Sequence, residues 1–581
     1  MVDSVGPSGK YSFTEDELKN INPKTAYNIN IGVLGHIDSG KTSLSKALSV
    51  VTSTASMDKN PQSQERGITL DLGFSAFFTK TPQRLKEQLK LDYLQFTLVD
   101  CPGHASLIKT IIGGASIIDI MFLVIDINKG IQTQTAECLV IGELLMQKMI
   151  VVLNKIDMIP EDKRAETISK KMEQLRKVFS KTKFGASVPM IPIAASQGAI
   201  DGQSLHIENL IDCLLGEIEI PQRQKDGPFF FLIDHCFPIK GKGSVVTGTV
   251  IQGQHKAGDE VEFPLIKEVK KSKQIQMFKK PVESIIQGDR AGILFTQLDN
   301  TLIERGIACT PGIIQFISYA IIPVNKVNYF KYPISSKGKF HVTTGHQTLM
   351  ASIKLFKVQI TQEELLILES TKQNINFQTD KNKKDTFNFD FNKEYEYVEN
   401  YDDYLKVKKP NECLFALLEF EKPVCASNGT LFICSKFDTD ITANICRIGF
   451  YGNLITQLTQ EELKNKKLKI FREKLREGII EKVSDDYSVI IKDMFKKETK
   501  IEVYVNKPIE ISLTKNVGKI QGAFGKSGKV KAVFPNGVLH QPIQVNANGE
   551  EQKQNQDDIL TEEKLVGQTV ILKYNKILFN K

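Results

Sequence analysis

Two hydrophobic rhythms divide the chain. From Asn28 to about Gln222, short unbroken apolar runs such as Ile29–Leu34, Leu94–Val99 and Met149–Leu153 alternate with stretches of helical spacing, among them Glu161–Phe179 and Leu205–Leu215. Unbroken runs read as strands buried on both faces, so the alternation predicts an α/β domain whose parallel sheet carries helices on both sides. A joint rich in Pro, Gly and charge, Pro221–Pro228, ends that rhythm. Beyond it come short strands punctuated by glycine, as in Gly243–Val250 and Gly253–Phe263, a pattern that suggests a β-barrel. A second β-rich block starts near Gln315 and runs past Phe450, and a third covers Lys466–Lys581 with its own polar loop, Asn546–Asp558. The stretch Ser370–Lys409 is low in variety (Asn, Asp, Lys, Tyr) and is expected to be a surface insertion with little order. The expected layout is a disordered tail over 1–26, an α/β domain over 27–222, and three β-barrel-type domains over 223–314, 315–462 and 463–581.

Charge sharpens this division. The chain carries a net charge of +8, and Lys466–Lys581 holds 22 Lys/Arg against 15 Asp/Glu, so +7 of it sits in the last block. A basic terminal domain on a nearly neutral body points to a polyanionic partner such as RNA. The nine cysteines are scattered, with no C-x-x-C pair and no zinc spacing, which fits a reduced, cytoplasmic protein. No apolar leader opens the sequence and no run reaches the length of a membrane span.

The chemistry lies at strand ends. Gly35-His36-Ile37-Asp38-Ser39-Gly40-Lys41-Thr42 closes the first apolar run and opens a helical pattern, the setting of a phosphate-binding loop. Backbone N–H groups there can wrap phosphates, Lys41 can reach the terminal ones, and Thr42 offers a hydroxyl to magnesium. Asp100-Cys101-Pro102-Gly103-His104 follows the run ending at Val99, so Asp100 can hold a magnesium-bound water and Gly103 can turn its N–H toward a γ-phosphate. Asn154-Lys155-Ile156-Asp157 follows Leu153. Asp157 can accept from guanine N1–H and N2–H₂, and adenine would leave that carboxylate unpaired, at a cost of about 1–3 kcal/mol per missed bond. Together the segments predict a GTPase.

With Glu65–Phe74, Ile233–Phe237, Gln287–Arg290, Asp485–Ile490, Phe495–Thr499 and Gly522–Lys529, the chain resembles translational GTPases of the elongation factor Tu type, most closely the eukaryotic and archaeal selenocysteine-specific branch. General elongation factors end after a third domain, so the extra basic block discriminates. The resemblance implies a factor that carries selenocysteinyl-tRNA to the ribosome, with GTP/GDP and Mg²⁺ as cofactors. It implies Thr42 and Thr69 as direct magnesium ligands, Asp100 through water, Thr69 and Gly103 as γ-phosphate sensors, and His104 as the group that orients the attacking water. Without an identifiable arginine finger, hydrolysis should be slow alone and fast on the ribosome. Asp234, His235 and Arg290 would form a pocket for the ionised selenol, and the basic domain would contact the tRNA, or a protein bound to the messenger-RNA hairpin that recodes UGA. The factor would work as a monomer. At the fifth nucleotide motif the chain reads Ala194-Ala195-Ser196, so contact to the guanine carbonyl must come from backbone N–H at Ala195 or Ser196. Competing readings are a general aminoacyl-tRNA carrier, a carrier of initiator tRNA whose cysteine-rich knuckle is missing here, and an RNA-binding scaffold with an inert GTPase.

Overall fold

A computed structural model describes residues 4–5, 9–22, 25–49, 51–52, 73–102, 117–196, 204–303, 305–345, 347–372, 387–438, 446–465, 467–525, 527–539 and 562–578. It divides into two compact units, residues 1–389 with 398–460, and residues 390–397 with 461–581.

The first unit opens with the α/β domain. Its strands are β1 (Ala26–Gly35), β2 (Gly73–Lys80), β3 (Tyr93–Asp100), β4 (Ile120–Asp126), β5 (Lys148–Asn154) and β6 (Met190–Pro192). The sheet order is β2-β3-β1-β4-β5-β6, with the short strand Val51–Thr52 outside β2. The pairings that run from β3 through β1, β4 and β5 to β6 are parallel, and β2 runs antiparallel to β3. Both faces are covered, as the unbroken apolar runs predict. Leu44 and Leu48 of the helix Lys41–Leu48, with Leu210 and Leu214 of Ile207–Glu217, pack on one face. Ile141 and Leu145 of Thr133–Leu145, with Leu175 and Phe179 of Glu161–Phe179, pack on the other.

Residues 9–22 depart from the disordered tail expected over 1–26. Thr14 and Glu17 form a capping box that starts the helix Glu15–Asn20. Phe13 and Ile21 are buried against Phe78 of β2, and Phe13 also meets Tyr93 of β3 at 6.3 Å between centroids. Burying a Phe or Ile side chain contributes about 1.5–3 kcal/mol, enough to dock a short segment whose polar residues face solvent. Lys10 and Tyr11 add bonds to Asp212.

The second domain is a closed barrel. Strands β7 (Phe230–Ile239), β8 (Gly243–Gln252), β9 (Glu260–Phe263), β10 (Glu268–Met277), β11 (Lys280–Val282), β12 (Arg290–Phe295) and β13 (Gly306–Cys309) build it. The ring runs β9-β13-β7-β8-β12-β10 and returns to β9, with β11 paired to β10 outside it. Closure removes free edges and encloses Phe231, Val246, Phe263, Ile293 and Phe295. In the third domain, antiparallel strands follow the order Gln315–Pro323, Glu412–Ala426, Gln347–Gln359, Lys339–Thr344, Leu431–Ser435, Ile448–Asn453.

The second unit holds another closed ring, Lys469–Asp485, Ser488–Lys492, Lys529–Val533, Val517–Phe524, Pro508–Ile511, Thr569–Ile577 and back to the first. Its core includes Ile480, Val489, Ile491, Ile520 and Leu572. Of the expected insertion 370–409, residues 373–386 lie outside the described residues, and 387–409 carry more structure than their composition suggests. Glu394–Glu396 pair in parallel with Lys469–Phe471 of this unit, and Tyr401–Val407 is a helix of the other unit. Aromatic residues explain the difference: Tyr395 and Tyr404 are both buried, and their hydroxyls donate to Asp390 O and Glu412 O.

Candidate functional site

β1 lies between β3 and β4, so the chain reverses its direction of winding at the loop that follows it. Open α/β sheets bind ligands at such a switch point. Two glycines are required there. Gly35 has φ +153°, and a Cβ on it would lie 2.3 Å from Val124 O; Gly40 has φ +91°, and its Cβ would lie 2.1 Å from Asn154 Nδ2. Asp38 adopts φ 57°, a left-handed conformation that Asp tolerates better than most residues. The helix then starts at Lys41 without a side-chain cap, leaving its first N–H groups to serve an anion. Lys41 Nζ donates to His36 O at 2.7 Å, and Thr42 Oγ1 donates to Asp100 Oδ2 at 2.7 Å. Burial pushes the Lys41 ammonium below its usual range while Asp100 opposes the shift, so a second anion beside it would be favourable. Ser39 Oγ is buried without a partner among the described residues.

The base end is built around Asn154. Its Nδ2 donates to Ser39 O at 2.9 Å and its Oδ1 accepts from Ala195 N–H at 3.0 Å, tying the phosphate loop to the fifth motif. The Ala195 N–H proposed for the guanine carbonyl is therefore already engaged. Of the two residues considered, that leaves Ser196, which is exposed. Lys155 has φ 68° and its Nζ lies 3.0 Å from Asp126 Oδ2. Burial raises Asp126, but Lys155 and the Asn128 N–H outweigh it and hold the carboxyl below its usual range. Asp157 follows in a short 3₁₀ turn, Ile156–Met158, half-buried. Asp126 was not singled out from sequence; its place at the end of an apolar run, like that of Asp100 and Asn154, was the available signal. Thr69, Gly103 and His104 lie outside the described residues.

The second-domain residues converge through strand register. A bulge between Ile233 and His235 turns the Asp234 side chain inward on β7, and the β8–β12 ladder sets Thr249 opposite Arg290. Asp234 and Arg290 form a bidentate pair, through Nη1 to Oδ2 and through Nη2 to Oδ1 at 3.3 Å. Thr247 Oγ1 donates to Asp234 Oδ1 at 2.7 Å. Both charged side chains are about 95% buried or more, at 3% and 5% exposure. Burial raises the Asp234 carboxyl, but Arg290 more than offsets it and the net shift is downward. Arg290 Nε has no partner among the described residues, and the guanidinium stacks on Phe74 of β2, 3.2 Å from the ring centroid. A cavity of about 110 Å³ adjoins it, lined by Phe237, Thr247, Gln276, Phe278, Lys279 and Arg290 among others. His235 is half-buried and does not line that cavity, although its charge bears on Asp234. The pairing with Phe74 was invisible in sequence, since the two residues belong to different domains. All nine cysteines are free, as expected.

Comparison with known proteins agrees with this geometry. Residues 26–220 match the Elongation factor Tu GTP binding domain, 321–452 the third domain of eukaryotic selenocysteine-specific elongation factors, and 466–581 the eEFSec C-terminal RIFT domain. The selenocysteine-specific elongation factor of Mus musculus is 45% identical over 539 residues, covering 88% of this chain and 89% of that protein. The corresponding factor of Methanocaldococcus jannaschii is 37% identical over 352 residues, 59% of this chain and 70% of that one. The crystal structure of SelB from Methanococcus maripaludis with the GTP analogue GppNHp aligns with a TM-score of 0.62 at 27% identity, over 95% of this chain and 99% of that one. The chain therefore belongs to the selenocysteine-specific elongation factors, GTP-binding translation factors that serve selenocysteine insertion.

Proposed function

We propose that the GTP-loaded protein binds selenocysteinyl-tRNA through a pocket at Asp234, His235 and Arg290, delivers it to the ribosome at recoded UGA codons, and hydrolyses GTP there. The observation that carries the pocket is Arg290, a buried guanidinium whose Nε has no partner among the described residues and which borders a cavity. An ionised selenol is an anion where the serine hydroxyl of its precursor is neutral. A charge-assisted hydrogen bond contributes about 1.5–3 kcal/mol, so one from Arg290 would separate the two by roughly tenfold or more.

In the nucleotide site, the phosphates occupy the loop Gly35–Thr42 with Lys41 exchanging His36 O for phosphate oxygen. Asp157 reads guanine, while Asn154 and Lys155 hold the loop beneath it and Ser196 supplies the N–H for the guanine carbonyl. An all-oxygen pair, the Thr42 hydroxyl and the Asp100 carboxylate 2.7 Å apart, suits magnesium, with Thr69 completing the set. Bound there, magnesium would neutralise charge on the phosphates. Thr69 and Gly103 respond to the γ-phosphate, and His104 orients the attacking water. The basic C-terminal barrel contacts RNA or the protein bound to the recoding hairpin, and its binding should weaken steeply with salt. The factor acts as a monomer in the cytoplasm.

Equilibrium binding of the GTP-loaded protein to the same tRNA carrying selenocysteine, carrying serine or uncharged, beside an ordinary charged elongator tRNA, tests this reading. Preference for the selenocysteinyl form over all three is expected. Equal binding to every charged tRNA would overturn the specificity and favour a general carrier.

A further inference from the structure

We infer that the N-terminal segment 9–22 is a strap that positions one wall of the aminoacyl cavity, with Lys280 as the residue through which it acts. The inference rests on the reading of that cavity as the aminoacyl pocket. The segment is anchored on the GTPase domain at two places. Phe13 and Ile21 pack on Phe78 of β2, and Lys10 and Tyr11 bind Asp212 of the helix Ile207–Glu217. Its helix Glu15–Asn20 then ends against the second domain. Lys280 Nζ donates to the carbonyls of Leu18 at 2.9 Å, Lys19 at 3.1 Å and Ile21 at 2.5 Å, meeting the oxygens that a helix C-terminus leaves unpaired.

Lys280 is the first residue of β11, and Met277 pairs with it across a two-residue turn, Phe278-Lys279. Both turn residues are left-handed, with φ 44° and 66°, the geometry of a tight hairpin usually made by Asn and Gly. Phe278 and Lys279 are strained there, and both line the cavity beside Arg290. One ammonium bound to three carbonyls thus holds a strained turn whose two residues form the cavity wall. The strap is fixed to β2 and β3 of the GTPase sheet, so the wall is registered to the domain that senses the nucleotide. Without the strap, Phe78 and Tyr93 lose their cover and the turn loses its tether.

The test uses the full-length, GTP-loaded protein with Lys280→Met, Lys280→Arg and a deletion of residues 1–22. The readout is the ratio of affinities for selenocysteinyl and uncharged tRNA, with GTP affinity as the control. Lys280→Met and the deletion should each lower that ratio roughly tenfold with GTP affinity unchanged, and Lys280→Arg should restore most of it. An unchanged ratio in Lys280→Met while Arg290→Ala abolishes it would overturn the strap and leave the pocket standing. An unchanged ratio in Arg290→Ala would overturn both, because the wall would border no site for the amino acid. Should the deletion impair folding, Lys280→Met alone decides, since it leaves the packing of Phe13 and Ile21 intact.

Discussion

The phosphate loop and the aminoacyl cavity both depend on a buried cation, but they hold it differently. Lys41 is satisfied by a neutral carbonyl five residues away, His36 O, a partner it can exchange for phosphate. Arg290 is held by a carboxylate 56 residues away in sequence, Asp234, which stays charged and in place. The first arrangement suits a ligand that must be bound and released with a change of state. The second gives up net charge, since the pair is neutral, in return for a guanidinium held in a fixed orientation at the edge of the cavity. An anion there is recognised by the direction of an N–H more than by overall potential, and Arg cannot be replaced by Lys for that task.

The comparison can be broken first at Asp234. Asp234→Asn leaves Arg290 buried without its counter-ion and should destabilise the second barrel by about 3–5 kcal/mol, measured by denaturant unfolding. A loss under about 1 kcal/mol would mean that the pair is not the permanent element described. Lys41→Ala, by contrast, should leave stability nearly unchanged and weaken GTP roughly a hundredfold or more in equilibrium binding. Gly40→Ala forces a Cβ into Asn154 Nδ2 and a residue with a side chain into φ +91°. A cost of about 2–3 kcal/mol should appear as weaker guanine-nucleotide binding, with the second barrel untouched.

The smallest effect concerns the joint between the domains. Burial lifts the Asp289 carboxyl to about 6, with the Ile286 N–H and Arg223 opposing. In an unfolded chain the group titrates near about 3.9. A raised folded value means that the folded state binds the proton more tightly, so this group favours folding below about pH 4 and that contribution is lost as pH rises through 6. Asp289→Asn should therefore be more stable than the parent by about 1–2 kcal/mol at pH 7.5, and the gap should close toward pH 4 in thermal unfolding. A gap that widens on acidification would refute the assignment.

Residues contiguous in sequence were the easiest to interpret. Glycines at 35 and 40, Lys41 and Thr42 announce a phosphate loop because backbone geometry over eight residues determines it. Parallel strands were legible because burial on both faces leaves unbroken apolar runs. Asp126, Phe74 and Thr247 were not, since each takes its role from a partner that only the fold brings near. In the N-terminal segment overall polarity conceals structure, although Thr14-x-x-Glu17 beside Phe13, Leu18 and Ile21 carries a capping box and an apolar face. In the stretch 370–409, low variety concealed buried Tyr395 and Tyr404.

The most direct measurement compares wild-type protein with Arg290→Ala and Arg290→Lys for binding of selenocysteinyl and seryl forms of one tRNA, with GTP affinity determined on the same preparations. Both variants should lose most of the preference, roughly tenfold or more, while GTP affinity stays at the wild-type value. A retained preference, or a loss of preference that merely follows a loss of GTP binding, would contradict a pocket built on Arg290.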